Sequence, residues 1–217
     1  MPPLTFFATV SSVLYLGAVP VFADIDLDGL CLSPESVLEK ITPKTKAIVP
    51  VHLFGAAAKM KEFVEIGAEK GIPVLEDCAQ AHGSEYSGKR VGGFGAAGAF
   101  SFFATKHMTT GEGGMITTNE RKLAELAKIL RNHGMEGRDD HVMLGYNNRM
   151  TEMEAALGPA QEAGFVQCRQ DRQFGVPVGE DRGTAMGGGS DTFRRADQTY
   201  LFLVSRHGER GVRKEHS

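Results

Sequence analysis

The sequence predicts an α/β layered domain, and three observations carry that reading. Between Val19 and Thr118, short apolar or β-branched runs alternate with helical ones. The helical run between the second and third strands has apolar residues at i, i+3, i+4 and i+7 and a glycine stop. The composition, 41% hydrophobic and 24% charged over 217 residues with a formal charge of -3, suits a chain that buries a sizeable core.

In chain order, the expected strands are "PVFADID" (20–26), "AIVPVHL" (47–53), "IPVLED" (72–77), "GAFSFF" (98–103) and "GGMITT" (113–118). Between the second and third, "AAKMKEFVEIGAEKG" places Met60, Phe63, Val64 and Gly67 on one helical face, with Gly71 as its C-terminal stop. This makes a β-α-β unit with a right-handed crossover. A second helix, "NERKLAELAKILRNHG", sets Leu123, Leu126, Ala127 and Leu130 on one face, with Thr118 or Asn119 as cap and Gly134 as end. A third, "TEMEAALG", begins with Thr151 as N-cap and Glu154 as its capping-box partner.

After Gln161 the character changes. Residues 161–217 hold eight Arg and one Lys, whereas the first 160 hold five Arg and ten Lys. Only "QTYLFLVS" in this tail reads as a strand, and the stretch from about Gln167 to Gln198 reads as irregular. The chain therefore divides into a core over 1–161 and a divergent tail over 162–217, the latter a possible remnant of a small domain.

The charge pattern excludes a nucleic-acid footprint, because basic and acidic residues are interspersed with no basic run. "TFFATVSSVLYLGAVPVFA" imitates a signal peptide, but no Lys or Arg precedes Lys40, and Thr9, Ser11, Ser12, Gly17 and Pro20 interrupt the apolar run. No segment has the apolar length of a membrane span. Cys31, Cys78 and Cys168 form no C-x-x-C pair and are odd in number, which fits a reducing cytoplasm better than a disulfide framework or zinc knuckle. His52, His82 and His107 lack a paired ligand spacing and read as structural, so no metal site is expected.

"GFGAAG" (93–98) matches a dinucleotide fingerprint letter for letter. Such a fingerprint follows a strand and opens a helix, and here the glycines lead into strand-like "AFSFF". A glycine-rich entry to a buried strand is the better account. The stronger constellation lies at strand ends. Asp77 closes "IPVLED", Ser101 lies in the next strand, and Lys106 follows just beyond, so a carboxylate, a hydroxyl and an amine converge on one sheet edge. Taken singly, each has a plain alternative: a capping Asp, a turn Ser, a surface Lys.

"VHLFG", "VLEDCAQAHGSEYSGKRVGGFGAAGAFSFFATKHMTTGEGGMITTN", "LRNHG" and "LGYNNRMTEMEAALG" together resemble the DegT/DnrJ/EryC1/StrS family of pyridoxal-phosphate-dependent nucleotide-sugar aminotransferases. The resemblance is collinear from about Pro3 to Gln161. It implies the large domain of the fold type I transferases, a parallel-rich sheet flanked by helices. By this resemblance Lys106 matches the lysine whose amine condenses with pyridoxal 5'-phosphate, and Asp77 the carboxylate that pairs with the ring nitrogen. Gln80 matches the position near the phenolic oxygen, and Ala79 packs on one ring face. Phe6 matches the aromatic stacked on the other face, and Ser101 a hydroxyl on the phosphate. Asn147 matches the residue that reaches the phosphate held by a neighbouring subunit, with Asn148 the close competitor, which implies a homodimer with shared sites.

The implied reaction moves an amino group from an amino acid such as glutamate to a keto-sugar linked to a nucleotide, in amino-sugar and polysaccharide biosynthesis. The family's N-terminal helix and phosphate-binding turn find no match in this sequence, and its small-domain continuation is not recognisable after Gln161. An inactive or cofactor-binding-only chain is the alternative in another class. A family dehydratase is disfavoured, because Lys106 stands where such enzymes carry a histidine.

Overall fold

The structure, a computed structural model, describes residues 1–161 and the strand 200–204. Its elements are α1 (Phe7–Tyr15), α2 (Pro34–Lys40), a 3-10 turn (Leu53–Gly55), α3 (Met60–Lys70), β1 (Leu75–Asp77), β2 (Glu85–Tyr86) and β3 (Lys89–Arg90). There follow β4 (Ala97–Ser101), β5 (Gly114–Thr118), α4 (Arg121–Arg131), β6 (Met135–Gly137), β7 (Asp140–His141) and β8 (Tyr200–Val204), with a helix α5 over 152–161 preceding β8.

The main sheet has the order β1-β4-β5-β8. β4 runs parallel to β1, with Asp77 opposite Ala99, and antiparallel to β5, with Ser101 opposite Gly114. β8 lies antiparallel to β5, so the strand expected within 198–205 is present and joins this sheet. The sheet is thus mixed rather than dominated by parallel pairs. A segment around residues 48–52 continues it beyond β1 through parallel bridges Ile48–Val74 and Val51–Asp77. The expected strand 47–53 is reduced to these bridges because Pro50 has no N–H to donate; its carbonyl still accepts from Asp77 N at 2.9 Å. The expected strand 20–26 is reduced to one bridge, Ile25–Leu32.

α3 forms where the periodicity placed it, and Gly71 ends it in the left-handed conformation at φ +65°. Its buried face is Met60, Phe63, Ile66 and Gly67, rotated from the expected one so that Val64 faces outward. Gly67 allows the close approach: a Cβ there would lie 2.7 Å from the Ile72 carbonyl oxygen. This face packs into a core that includes Leu32, Val37, Ile48, Leu53 and Val74. In α4 the fully buried residue is Ala124, and Leu126 turns outward. The capping box of α5 forms, Thr151 N donating to Glu154 Oε2 at 2.9 Å and Glu154 N to Thr151 Oγ1 at 3.2 Å. None of the described helices is long and apolar enough to cross a membrane.

Candidate active site

Adjacent residues of a strand face opposite ways, and in β1 that alternation separates two carboxylates with different roles. Glu76 points into the interior, 2% exposed. Its Oε2 accepts from Gly92 N at 2.7 Å and its Oε1 from Phe94 N and Gly95 N, each at 2.8 Å. His52 Nε2 lies 3.2 Å from Oε2. Because Ala58 N donates to His52 Nδ1 at 3.0 Å, the ring proton is on Nε2, and His52 donates to Glu76. Burial pushes the Glu76 carboxyl up, but the hydrogen bonds from His52, Gly95 and Gly92 outweigh it and hold it below the ordinary glutamate value.

This explains the "GFGAAG" run. Its amides do cradle an anion, and the anion is the side chain of Glu76. The glycines are also required sterically, since a Cβ on Gly95 would lie 2.3 Å from Val74 O and one on Gly98 2.5 Å from Gly92 Cα. His52, Glu76 and Cys78 bring ligand atoms within 4.8 Å of one another. These donors are committed, however: the carboxylate is saturated by four N–H groups. Burial and the charges of Glu76 and Asp77 push the Cys78 thiol well up, keeping it from the thiolate a metal needs.

Asp77 faces the other way, at the carboxyl end of β1. Its backbone is pinned on both sides, its N–H to Pro50 O and its carbonyl by His52 N. Its Oδ2 accepts from Thr9 Oγ1 at 2.7 Å and its Oδ1 from Ala79 N at 3.1 Å. Ser101 closes the parallel neighbour β4, so both residues stand at the same sheet edge. Beyond it the chain turns, Lys106 N donating to Phe103 O, and returns through Thr110 N to Phe102 O before entering β5. Lys106 is carried in that turn, half-buried, and its Nζ takes no hydrogen bond or ion pair among the described residues. Ser101 Oγ accepts from Phe103 N at 3.3 Å, which leaves its proton to donate elsewhere.

Phe6 is the N-cap of α1 and 72% exposed. It precedes by three residues Thr9, whose hydroxyl reaches Asp77. Gln80 Oε1 accepts from Phe54 N at 2.9 Å, which orients the amide so that its NH2 points away from Phe54. Asn147 is placed by the end of α4. It forms an antiparallel bridge with Asn132, and Asn148 N donates to Arg131 O, so both asparagines are pinned by backbone to the end of α4 with their side chains exposed.

Near the Lys106 turn, His82 is buried against Phe100, Phe102 and His107, and neither ring nitrogen has a hydrogen-bond partner among the described residues. Burial, with the charges of His107 and Lys106, lowers its pKa to about 4, so it is neutral at ordinary pH. Thr9 and the Glu76 cradle are what the sequence reading missed. The available signal for Thr9 was its i, i+4 spacing from Thr5 in a chain start otherwise apolar.

A model of the DegT/DnrJ/EryC1/StrS aminotransferase family matches residues 1–178. The chain belongs to that family. GDP-perosamine synthase of Escherichia coli O157:H7 is 44% identical over 163 residues, 74% of this chain and 45% of that protein. Helicobacter pylori PseC, an aminotransferase involved in the biosynthesis of pseudoaminic acid, superposes with a TM-score of 0.71 at 33% identity, over 82% of this chain and 51% of its own. Bacillus subtilis NtdA, solved with bound cofactor PMP, gives a TM-score of 0.68 at 30% identity, over 81% of this chain and 42% of its own. The fold is therefore that of the fold type I aminotransferases, and the chain spans about half the length of these family members.

Proposed function

We propose that this family member is the cofactor-binding core of an aminotransferase that uses pyridoxal 5'-phosphate to move an amino group from an amino acid, such as glutamate, to a nucleotide-linked keto-sugar. The observation that carries the reading is Asp77. It is a carboxylate at a strand's carboxyl end, hydrogen-bonded on both oxygens and standing at one edge with Ser101, beside the Lys106 turn. The residues fit the cofactor. Each Asp77 oxygen has one donor and so retains acceptor capacity for a ring N–H, the Lys106 amine has no partner among the described residues, and Phe6 is an exposed aromatic three residues before Thr9.

When bound, the cofactor supplies an aldehyde that takes up amines and a ring that withdraws electrons from the attached carbon. In this reading Asp77 keeps the ring nitrogen protonated, which is what lets the ring withdraw. Phe6 and Ala79 would hold the ring from its two faces. Ser101 would donate its free proton to the phosphate, and Gln80 would offer its NH2 to the phenolic oxygen. Lys106 would hold the cofactor through its amine, and the same amine would be the group that takes up and returns a proton.

Asn147 is exposed beside the end of α4, as a residue that reaches into a neighbouring subunit's site would be, which supports a homodimer with shared sites. Phe7, Tyr15, Leu16 and Val19, exposed by 65%, 87%, 85% and 81%, give that assembly an apolar surface to bury beside α1. The cysteines Cys31 and Cys78 are unpaired, which suits the cytoplasm.

The test is substitution of the lysine. Lys106→Ala should abolish both turnover and the adduct that borohydride traps in the parent chain, as mapped by peptide mass spectrometry. Turnover retained without Lys106 would sink the reading. An adduct on Lys106 with no amino transfer to any keto-sugar would select the cofactor-binding-only alternative.

A further inference from the structure

We propose that Thr9, with Thr5 behind it, is a positioning residue for the ring nitrogen of the cofactor, acting through Asp77; this rests on the aminotransferase reading above. A hydroxyl has one proton. An ionised carboxylate only accepts, so the 2.7 Å contact between Thr9 Oγ1 and Asp77 Oδ2 consumes the proton of Thr9. The 2.8 Å contact between Thr5 Oγ1 and Thr9 Oγ1 must then run from Thr5 to Thr9. The result is a directed chain, Thr5 to Thr9 to Asp77, in which each hydroxyl polarises the next. Ala79 N supplies the second donor, on Oδ1. Two donors on different oxygens fix the rotation of the carboxyl group, and with it the direction in which its remaining lone pairs face.

The contact is not incidental core packing. Thr9 is the one buried residue of α1, 5% exposed, and it buries the side chain that bears the hydroxyl. Its β-branching narrows χ1, so a serine would keep the hydrogen bond with a less constrained side chain. α1 and β1 are far apart in sequence, Thr9 and Asp77 being separated by 68 positions, so the bond also makes the helix that carries Phe6 part of the ring-holding apparatus.

The deciding experiment uses the full chain and two probes, pyridoxal 5'-phosphate and its 1-deaza analogue, in which carbon replaces the ring nitrogen. Dissociation constants are measured by absorbance titration for the parent, Thr9→Val, Thr9→Ser and Thr5→Val. Loss of a hydrogen bond to a charged group predicts that Thr9→Val binds pyridoxal 5'-phosphate roughly tenfold more weakly. Affinity for the deaza analogue should be unchanged, and Thr9→Ser should bind the natural cofactor like the parent. A purely structural role would weaken both probes alike, and that result overturns the proposal, as does unchanged affinity for both. If Thr9→Val does not fold, Thr5→Val tests the same chain without removing a buried group, with a loss of about threefold expected for the natural cofactor alone. A parent that binds both probes equally, with the adduct trapped on Lys106, overturns this inference and leaves the aminotransferase reading intact. A parent that binds neither overturns both.

Discussion

His52 Nε2 and Glu76 Oε2 lie 3.2 Å apart with both side chains wholly buried, and the tautomer of the histidine is set by a third group, the N–H of Ala58. The pair is therefore a neutral donor on an ionised acceptor rather than an ion pair. Three backbone amides complete the shell of the carboxylate. These bonds tie the loop 92–95 to β1 next to Asp77.

From this, Glu76→Gln should destabilise the chain by about 3 kcal/mol, because an amide NH2 would face N–H donors in a site that excludes water. The carboxyl lies below its ordinary value in the fold. Its contribution is thus fully present above the ordinary glutamate range near pH 4.3 and is lost as pH falls through the lower folded value. Urea unfolding of parent and variant at neutral pH checks the first statement. A falling difference between them in acid checks the second.

His82 predicts a second, separate acid response. Its pKa falls to about 4 in the fold, from an ordinary histidine value of about 6.5. The unfolded chain binds the proton first, so stability is complete above about pH 6.5 and declines toward pH 4, by on the order of 3 kcal/mol. His82→Leu should flatten the dependence in that window and leave the steeper loss below it. A parent whose midpoint does not change between pH 7 and pH 5 would contradict the prediction.

Local signals were the legible part of the fold. Gly71 ends α3 and the Thr151–Glu154 box opens α5 because each is a contact within a few residues. The α2 signal was equally local and went unread: Ser33 caps the helix, Pro34 opens it and Glu35 lies in its first turn. Asp77 and Ser101 could be grouped because both close strands that one parallel pair aligns, and Lys106 because it follows in the turn just beyond β4. Glu76 and Thr9 could not. What distinguishes Glu76 from Asp77 is which face of β1 each occupies, and that depends on a loop sixteen or more residues on. What distinguishes Thr9 from any helical threonine is a partner 68 residues away.

The glycines of "GFGAAG" differ among themselves, and this separates packing from loop flexibility. A Cβ on Gly93 would meet Arg90 O at 3.6 Å, an ordinary contact. One on Gly95 or Gly98 would overlap backbone at 2.3 or 2.5 Å. Gly93→Ala should therefore melt within a few degrees of the parent, while Gly95→Ala and Gly98→Ala should each lose about 3 kcal/mol or more, or fail to accumulate as soluble protein. Equal tolerance at all three positions would show that close backbone packing is not what keeps these residues.

Gln80 allows orientation and contact to be separated. Its Oε1 is taken by Phe54 N at 2.9 Å, and Phe54 itself sits at φ +53°, a left-handed conformation that this bond helps to hold. Gln80→Glu retains an acceptor for Phe54 and replaces the outward NH2 with an anionic oxygen. The variant should keep the parent's thermal stability within about 1 kcal/mol, because the bond to Phe54 persists. If Gln80 holds the phenolic oxygen as proposed, the variant should nevertheless bind pyridoxal 5'-phosphate roughly tenfold more weakly, since an acceptor would replace the donor there. Gln80→Ala removes both contacts and should lower stability and affinity together. Melting curves and cofactor titrations on the two variants provide the check. Equal affinity of Gln80→Glu and the parent would remove Gln80 from the cofactor-binding set while leaving its structural bond to Phe54 in place.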